Sequence, residues 1–204
     1  CDWSSDVCSS DLLNGAALQF ATSSLQVPTT SPADGISSTA ATLHGLVDAK
    51  GSTLNYVKFC YDTTTAFTNC AAHTYTLTAP AGGWTTGVNT ISQAVTGLTS
   101  STTYYFKVLT VSNLASVDSS YLSFKTLSLL NFNTQGGSAV QSIEYTTGAT
   151  VNLSTAVSTR QGYTFAGWFV ADTGGSAVAT NYVVPGTTDQ TLYAHWTQDV
   201  YTVS

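Results

Sequence analysis

The chain has 204 residues, enough for one or two domains with cores of their own, and only 8% of them are charged. Its 11 Asp and Glu outnumber its 5 Lys and Arg, which argues against nucleic acid and anionic membrane surfaces as partners, since both bind basic faces. No apolar run approaches the roughly 18 residues of a membrane-spanning helix, so we expect no membrane insertion. Thr, Ser, Gly and Val are abundant and long helical patterns are absent, which predicts a mainly β protein.

The first residues do not fit the rest of the chain. The segment Asp2-Trp-Ser-Ser-Asp-Val-Cys-Ser-Ser-Asp-Leu12 resembles the translation of a common sequencing-library adapter, and we interpret residues 1–12 as a sequencing artefact. The alternative is a genuine acidic leader. If they are an artefact, Cys1 and Cys8 drop out of the cysteine count, and we expect more of the natural chain to precede residue 13.

Residues 13–27 are interpreted as the end of a preceding module or as a linker. Leu18-Gln-Phe-Ala-Thr22 has the form Leu-x-Phe-x-Thr, which returns in Leu122-Ser-Phe-Lys-Thr126, and such a recurrence suggests a repeated module. Pro28-Thr-Thr-Ser-Pro-Ala-Asp-Gly35 follows, and its two prolines and Asp-Gly pair are typical of a turn-rich connection.

Short segments with alternating apolar and polar residues fill residues 28–126, and turn residues separate them. The predicted strands are Ser38–Leu46, Leu54–Tyr61, Thr74–Thr78, Val88–Val95, the second half of Leu98–Val108, and Tyr121–Thr126. Many short strands at this spacing predict a β-sandwich.

The segment Leu98-Thr-Ser-Ser-Thr-Thr-Tyr-Tyr-Phe-Lys-Val108 organises this part of the chain. Tyr104 and Phe106 share one predicted strand face. Leu98 precedes Tyr104 by six residues, which is the spacing of a tyrosine corner, where the tyrosine hydroxyl bonds to the backbone upstream. Leu98, Tyr104 and Phe106 are therefore expected to be structural residues.

Together with Ala40-Ala-Thr-Leu-His-Gly-Leu-Val-Asp-Ala-Lys-Gly51 and Phe59-Cys-Tyr61, this segment resembles a bacterial fibronectin type III module. The resemblance implies a fibronectin type III-like β-sandwich over residues 28–126. Leu43 stands where that family often has a core Trp, and Ser100 stands where proline is usual. The sequence contains no Arg-Gly-Asp tripeptide, which excludes integrin-type adhesion by that motif.

Cys60 and Cys70 bracket a hairpin-like span, and Cys60 shares its strand face with Lys58, away from the predicted core. This arrangement predicts a disulfide in an oxidising compartment. Two free thiols are a second interpretation. Half of a metal site near His73 is a third, although the sequence around it supplies no further ligands.

A different pattern starts at residue 127 with almost no spacer, so we expect two abutting modules that form a semi-stiff rod. Three motifs carry a second resemblance: Asn-x-x-Gly-Gly at Asn133–Gly137, then Gly162-Tyr-Thr-Phe-Ala-Gly-Trp-Phe169, then Thr191-Leu-Tyr-Ala-His-Trp196. They are similar to the internalin-type B-repeat, also called the Listeria–Bacteroides repeat, which occurs in tandem on bacterial surface proteins and in secreted proteins.

That resemblance implies a small β-grasp-like module over residues 127–197, with a curved sheet over one short helix. Ser154–Arg160 is where the sequence has room for a helical turn. Tyr201-Thr-Val-Ser204 looks like the first strand of another copy, so residues 198–204 are interpreted as the start of a next repeat.

Large aromatic residues are expected to supply much of the core of this module, because a small module needs the area that they bury. They are Tyr163, Phe165, Trp168, Phe169, Tyr193 and Trp196. We treat Trp168 and Trp196 as structural residues and expect at least one of them to be buried. A platform that stacks sugar rings is the functional alternative.

The sequence offers no catalytic, cofactor-binding or metal-binding constellation. His44, His73 and His195 are far apart, each is expected to be a surface or packing residue, and His195 should face solvent. The sparse carboxylates, such as Glu144 and Asp189, lie in predicted turns or strands without the paired spacing of acid–base catalysis. We therefore predict that this is not an enzyme and that it uses no cofactor.

The two resemblances predict a non-catalytic modular region of a bacterial protein that is secreted or at the cell surface. We expect a spacer or stalk with an adhesive role, and its candidate partners are cell-wall or host-surface polymers or proteins. One alternative is a set of accessory modules of a large secreted polysaccharide-active enzyme. Another is a carbohydrate- or protein-binding module, which three or more aromatic side chains on one sheet face would favour.

Overall fold

The structure is a computed structural model that describes residues 26–50, 53–79, 83–84, 87–112 and 115–200. Within these residues the regular structure consists of β-strands alone, so the predicted mainly β fold is confirmed. No helix in the described residues is long and apolar enough to cross a membrane. The interpretations of residues 1–12, of residues 13–25 and of residues 201–204 lie outside the described residues.

The first unit consists of two antiparallel sheets. Its strands are β1 (Thr29–Asp34), β2 (Ala40–Asp48), β3 (Leu54–Asp62), β4 (Thr74–Leu77), β5 (Val88–Thr96), β6 (Thr103–Ser112), β7 (Ser116–Asp118) and β8 (Leu122–Lys125). One sheet has the order β1-β2-β5 and the other the order β4-β3-β6, with β7 and β8 pairing with successive parts of β6. The two sheets enclose one hydrophobic core, so this unit is a β-sandwich.

Alternation along the strands builds that core, and Leu43, Phe59 and Phe106 are fully buried in it. Gly45 lies in the same row of β2. A Cβ atom there would lie 2.7 Å from Cγ2 of Val108 and 2.8 Å from the carbonyl oxygen of Thr29. The strands therefore approach so closely at this point that only glycine fits without displacement.

The turn before β6 is held by Tyr104. Its hydroxyl accepts a hydrogen bond of 2.9 Å from the backbone N–H of Thr99. Leu98 and Tyr104 are 5% and 6% exposed, so both pack in the core. The Tyr104 bond fixes this turn. Ser100 and Ser101, in the same turn, lie at the end of the sandwich that contacts the second unit, described below.

The second unit is a mixed sheet with a second layer of two strands. Its strands are β9 (Ser128–Asn133), β10 (Ile143–Tyr145), β11 (Thr150–Asn152), β12 (Tyr163–Phe169), β13 (Asn181–Val183) and β14 (Gln190–Gln198). The main sheet has the order β10-β9-β14-β12, in which β9 and β14 are parallel and the other pairs are antiparallel. Strands β11 and β13 pair with each other, and the core of this unit includes Leu130, Val151, Trp168, Val184 and Leu192.

The prediction of a short helix at Ser154–Arg160 is wrong, because these residues form a turn and irregular chain. Asn152 Oδ1 accepts a hydrogen bond of 2.8 Å from the N–H of Ser154, and the Ser158 hydroxyl donates one of 2.7 Å to the carbonyl of Ser138. Such side-chain bonds to the backbone compete with helical ones. Ala156 from this segment joins the core, so irregular chain covers the sheet where a helix was expected.

The two units follow each other almost directly. Strand β8 ends at Lys125 and β9 begins at Ser128, which leaves two connecting residues. The N–H of Leu127 donates to the carbonyl of Ser37, and its carbonyl accepts from the N–H of Ser101, both at 3.1 Å. The connection is therefore hydrogen-bonded into the end of the sandwich.

Candidate functional surfaces

The histidines of the first unit pack against neighbouring side chains. Nε2 of His44 lies 3.0 Å from Oδ1 of Asp34. The ring of His73 stacks on that of Tyr61, with 4.9 Å between the centroids. The described residues contain no group of three His, Cys, Asp or Glu side chains placed to hold a metal ion.

A disulfide between Cys60 and Cys70 closes the loop that joins β3 to β4, with 5.4 Å between the Cα atoms. Cys60 lies on the outer face of β3 and is not part of the sandwich core, yet it is 0% exposed. The loop folds back over this face and buries it, which strand parity alone does not reveal. The sequence predicts this pairing, and thiol labelling of the unreduced protein tests it.

The buried carboxylate of Asp62 holds the same loop. Asp62 is 1% exposed, and it accepts hydrogen bonds from the backbone N–H groups of Thr63 at 2.7 Å and Asn69 at 2.9 Å. The hydrogen bond from Asn69 lowers the pKa of Asp62, the effect of burial opposes this, and the bond from Thr63 adds to the lowering. One ionised side chain thus anchors both ends of the 63–69 segment.

That loop carries an aromatic side chain to the outer face of the sandwich. Phe67 has a φ of +51°, a conformation that bulky residues rarely adopt. Its ring lies 6.1 Å from Tyr121, Tyr121 lies 5.7 Å from Tyr105, and the Nζ of Lys107 stands 4.7 Å over the Phe67 ring. Tyr121 is 49% exposed. We call Phe67, Tyr105 and Tyr121 the aromatic cluster; its rings are tilted or perpendicular to each other and do not form a flat platform.

Of the six aromatic residues predicted for the core of the second unit, three pack in it or against it. Trp168 is 4% exposed, and its indole N–H donates to the carbonyl of Ala156 at 2.6 Å. Phe165 and Trp196 pack against the core as partly buried rings. The expectation was wrong for the other three aromatics, which lie outside this core: Tyr163, Phe169 and Tyr193.

A β-bulge explains why the aromatics divide in this way. Phe165 pairs with Trp196 and Gly167 pairs with His195, so the register shifts between them. Phe165 and Trp168 would otherwise point to opposite faces, but with the bulge their rings meet in the core, 5.3 Å apart. Gly167, with a φ of +124°, provides the backbone conformation that the bulge needs.

The outer face of the same sheet carries His195, which stacks on Phe169 with 3.8 Å between the ring centroids. Its Nε2 lies 3.0 Å from the carbonyl oxygen of Ala171. His195 therefore lies on the outer face, as strand parity predicts, but it is half-buried there. Each ring uses one of its faces on the other, so that face is closed to a ligand.

A cluster of polar contacts joins the two units. Asp189, just before β14, accepts hydrogen bonds from the hydroxyls of Ser100 at 2.5 Å and Ser101 at 2.6 Å, and from the N–H of Leu129 at 2.9 Å. Partial burial tends to raise the pKa of Asp189, but the hydrogen bonds from Ser100, Ser101 and Leu129 outweigh it and lower the pKa. The carboxylate therefore stays ionised, and bonded across the junction, at neutral pH.

A second carboxylate bridges the units at another place. Oε1 of Glu144 on β10 accepts a hydrogen bond of 2.8 Å from the backbone N–H of Ser38, which lies before β2. Hydrogen bonds from the hydroxyl and the N–H of Ser38 lower the pKa of Glu144 by more than burial raises it. The sequence assigned no role to Glu144 or Asp189, and no local pattern could have done so, because their partners lie 106 and 89 residues away along the chain.

Comparison with known proteins finds a family match in the second unit. Residues 129–195 match the family model of the Listeria-Bacteroides repeat domain. The B-repeat part of the prediction is thereby confirmed for these residues, whereas the fibronectin type III-like nature of residues 28–126 stays a prediction. No curated protein matches the chain.

Solved structures with distant likeness include the sensor domain of the anti-sigma factor RsgI4 from Pseudobacteroides cellulosolvens. Its short form is 26% identical over 48% of this chain and 91% of that one, with a TM-score of 0.37. Its long form is 22% identical over 48% and 86%, with a TM-score of 0.35. A putative beta-galactosidase from Bacteroides fragilis is 9% identical over 60% of this chain and 19% of that one, at 0.28. At these TM-scores the likenesses carry no conclusion about this chain.

Proposed function

We propose that this chain is a non-catalytic spacer region of a bacterial protein that is secreted or displayed at the cell surface. The observation that carries the proposal is the direct passage from β8 to β9, in which both backbone groups of Leu127 are bonded to the end of the sandwich. Two units, each with its own core, therefore follow each other without a free linker. Such tandem units hold a length, which is what a spacer must do.

Two further observations support an extracytoplasmic setting and the module types. The Cys60–Cys70 disulfide suits an oxidising compartment. The match of residues 129–195 to the Listeria-Bacteroides repeat domain supports a module of bacterial extracellular proteins. For residues 28–126, the opposed sheets and the corner hydrogen bond of Tyr104 support the fibronectin type III-like interpretation.

The test is replacement within the protein that carries these residues. Residues 28–197 are deleted, or exchanged for an unrelated rigid β-module pair of equal length, and the activity of the remainder is measured together with its accessibility to antibody outside the cell. If the region is a spacer, the activity of the remainder should be lost when residues 28–197 are deleted and restored when they are exchanged for the unrelated pair. Failure of the unrelated pair to restore activity would show that these residues bind something specific, and absence of the chain from the cell exterior would contradict the setting.

The aromatic cluster favours a second candidate function, adhesion to a carbohydrate or protein surface. Tyr105 on β6 meets Phe67 from the loop after β3 and Tyr121 from the residue before β8 on the outer side of the sandwich, and the disulfide and Asp62 hold the loop that carries Phe67. The probes are cell-wall polysaccharides and a glycan array, each tested with the unaltered chain and with Tyr121→Ala. Loss of binding in the variant supports this function. Lack of binding by the unaltered chain, or equal binding by the variant, argues against it.

A further inference from the structure

We infer that the turn before β14 docks through Asp189 into a cradle on the sandwich, and that this docking fixes the orientation of the second unit relative to the first. The cradle on the sandwich consists of the hydroxyls of Ser100 and Ser101, and the N–H of Leu129, in β9 of the second unit, bonds the same carboxylate. The inference rests on the proposed spacer function and deepens it, because it names the contact that makes the spacer rigid.

The cradle is complementary to a carboxylate. It presents two hydroxyl donors, and Asp189 places Oδ2 on Ser100 and Oδ1 on Ser101. Oδ1 also accepts from the N–H of Leu129 within the second unit, which orients the carboxylate toward the serines. Hydrogen bonds to an ionised acceptor are stronger and more directional than neutral ones. The backbone of the turn that carries the two serines is also fixed. The N–H of Ser101 donates to the carbonyl of Leu127, and the Tyr104 hydroxyl accepts from the N–H of Thr99.

The same turn makes further contacts with the end of the sandwich and the connection. The carbonyl of Thr187 accepts hydrogen bonds from Nζ of Lys125 at 2.5 Å and from the hydroxyl of Ser128 at 3.3 Å. Tyr145 of the second unit donates its hydroxyl to the carbonyl of Thr188 at 2.5 Å. The docked turn is therefore supported from both units, and Lys125 and Tyr145 are the other titratable groups that face it.

Contacts at several places, in addition to the covalent connection, fix the orientation of the second unit relative to the first. A covalent connection alone leaves the second unit free to rotate about the backbone bonds of residues 126 and 127. Docking of Asp189 on Ser100 and Ser101 adds one fixed place, and Glu144 on Ser38 adds another. Without Asp189 the contacts that remain include Glu144 on the N–H of Ser38 and Lys125 on the carbonyl of Thr187, and both use exposed side chains for which solvent competes.

The experiment compares the unaltered chain with Asp189→Ala, with Ser100→Ala/Ser101→Ala, and with Asp172→Asn as a matched loss of charge in the loop after β12. Residual dipolar couplings in a weakly aligning medium are measured for the amides of both units. Amide chemical shifts of Leu43 and Leu192 report whether each core remains folded.

We expect one common alignment tensor for the unaltered chain and for Asp172→Asn. We expect the two units to give different tensors in Asp189→Ala and in the double serine variant, with core shifts unchanged. A common tensor retained in both cradle variants, or separate tensors already in the unaltered chain, would overturn the docking. Neither result decides the replacement experiment, because that experiment measures whether the length is needed and not whether the two units keep one orientation, so the two proposals fail independently.

Discussion

The Cys60–Cys70 disulfide allows a quantitative test of the first unit. It closes a loop with a sequence separation of 10. In the chain-entropy treatment, cross-linking so short a loop removes about 9 cal/mol/K from the unfolded state, which stabilises the fold by about 2.7 kcal/mol at room temperature. With urea m-values of about 1–3 kcal/mol/M, reduction should lower the unfolding midpoint by about 1–3 M.

The assay is urea unfolding followed by near-ultraviolet circular dichroism, with and without reductant. Reduced and oxidised forms of the unaltered chain contain the same side chains, so the shift reports the cross-link with little change in packing. The variant Cys60→Ala/Cys70→Ala serves as control, because its midpoint should not respond to reductant. If a thiol reagent modifies both cysteines in the unfolded but unreduced protein, or if reductant leaves the midpoint unchanged, the disulfide prediction is refuted.

Three further predictions concern single side chains. Trp168→Ala should cost about 3–5 kcal/mol and unfold the second unit alone, so that its amide resonances collapse while those of β6 stay dispersed. Tyr104→Phe leaves the N–H of Thr99 without its acceptor and should lower stability by about 1 kcal/mol in urea unfolding; an unchanged midpoint would show that the corner bond contributes nothing. The pKa of Asp62 is lower in the folded state than in the unfolded state. Its contribution to the free energy of unfolding is therefore present above the unfolded-state pKa and is lost as the pH falls through the folded-state pKa. Asp62→Asn should therefore lower the urea midpoint at neutral pH but not in strong acid, and an equal loss at both would contradict the ionised role.

The sandwich could be predicted from the sequence because its information is local. Alternation in β2, β3 and β6 distinguishes the buried face from the exposed one, and buried residues such as Leu43, Phe59 and Phe106 follow from parity alone. The spacing from Leu98 to Tyr104 likewise predicts a corner that depends on neighbouring backbone. Such features need no knowledge of what lies across the sheet.

Features that depend on contacts beyond the strand itself were missed. Cys60 obeys parity and faces away from the core, but the following loop buries it, which parity cannot express. The acidic residues Glu144 and Asp189 have no local pattern, and they acquire a role only because the second unit brings them against Ser38 and Ser100. Their lowered pKa values are consequences of that contact and not of neighbouring residues.

The aromatic residues of the second unit show most clearly where pattern reasoning stops. Counting by two from Phe165 puts Trp168 on the outer face, whereas its ring packs beside Phe165 because one bulge at Gly167 shifts the count. The same shift moves Phe169 out of the core and onto His195. Glycine inside a strand is a general indication of a bulge, so Gly167 contained the information that the alternation of its neighbours did not. A strand pattern interrupted by glycine should therefore be read as two patterns of opposite parity, and here that reading assigns both Phe165 and Trp168 to the core.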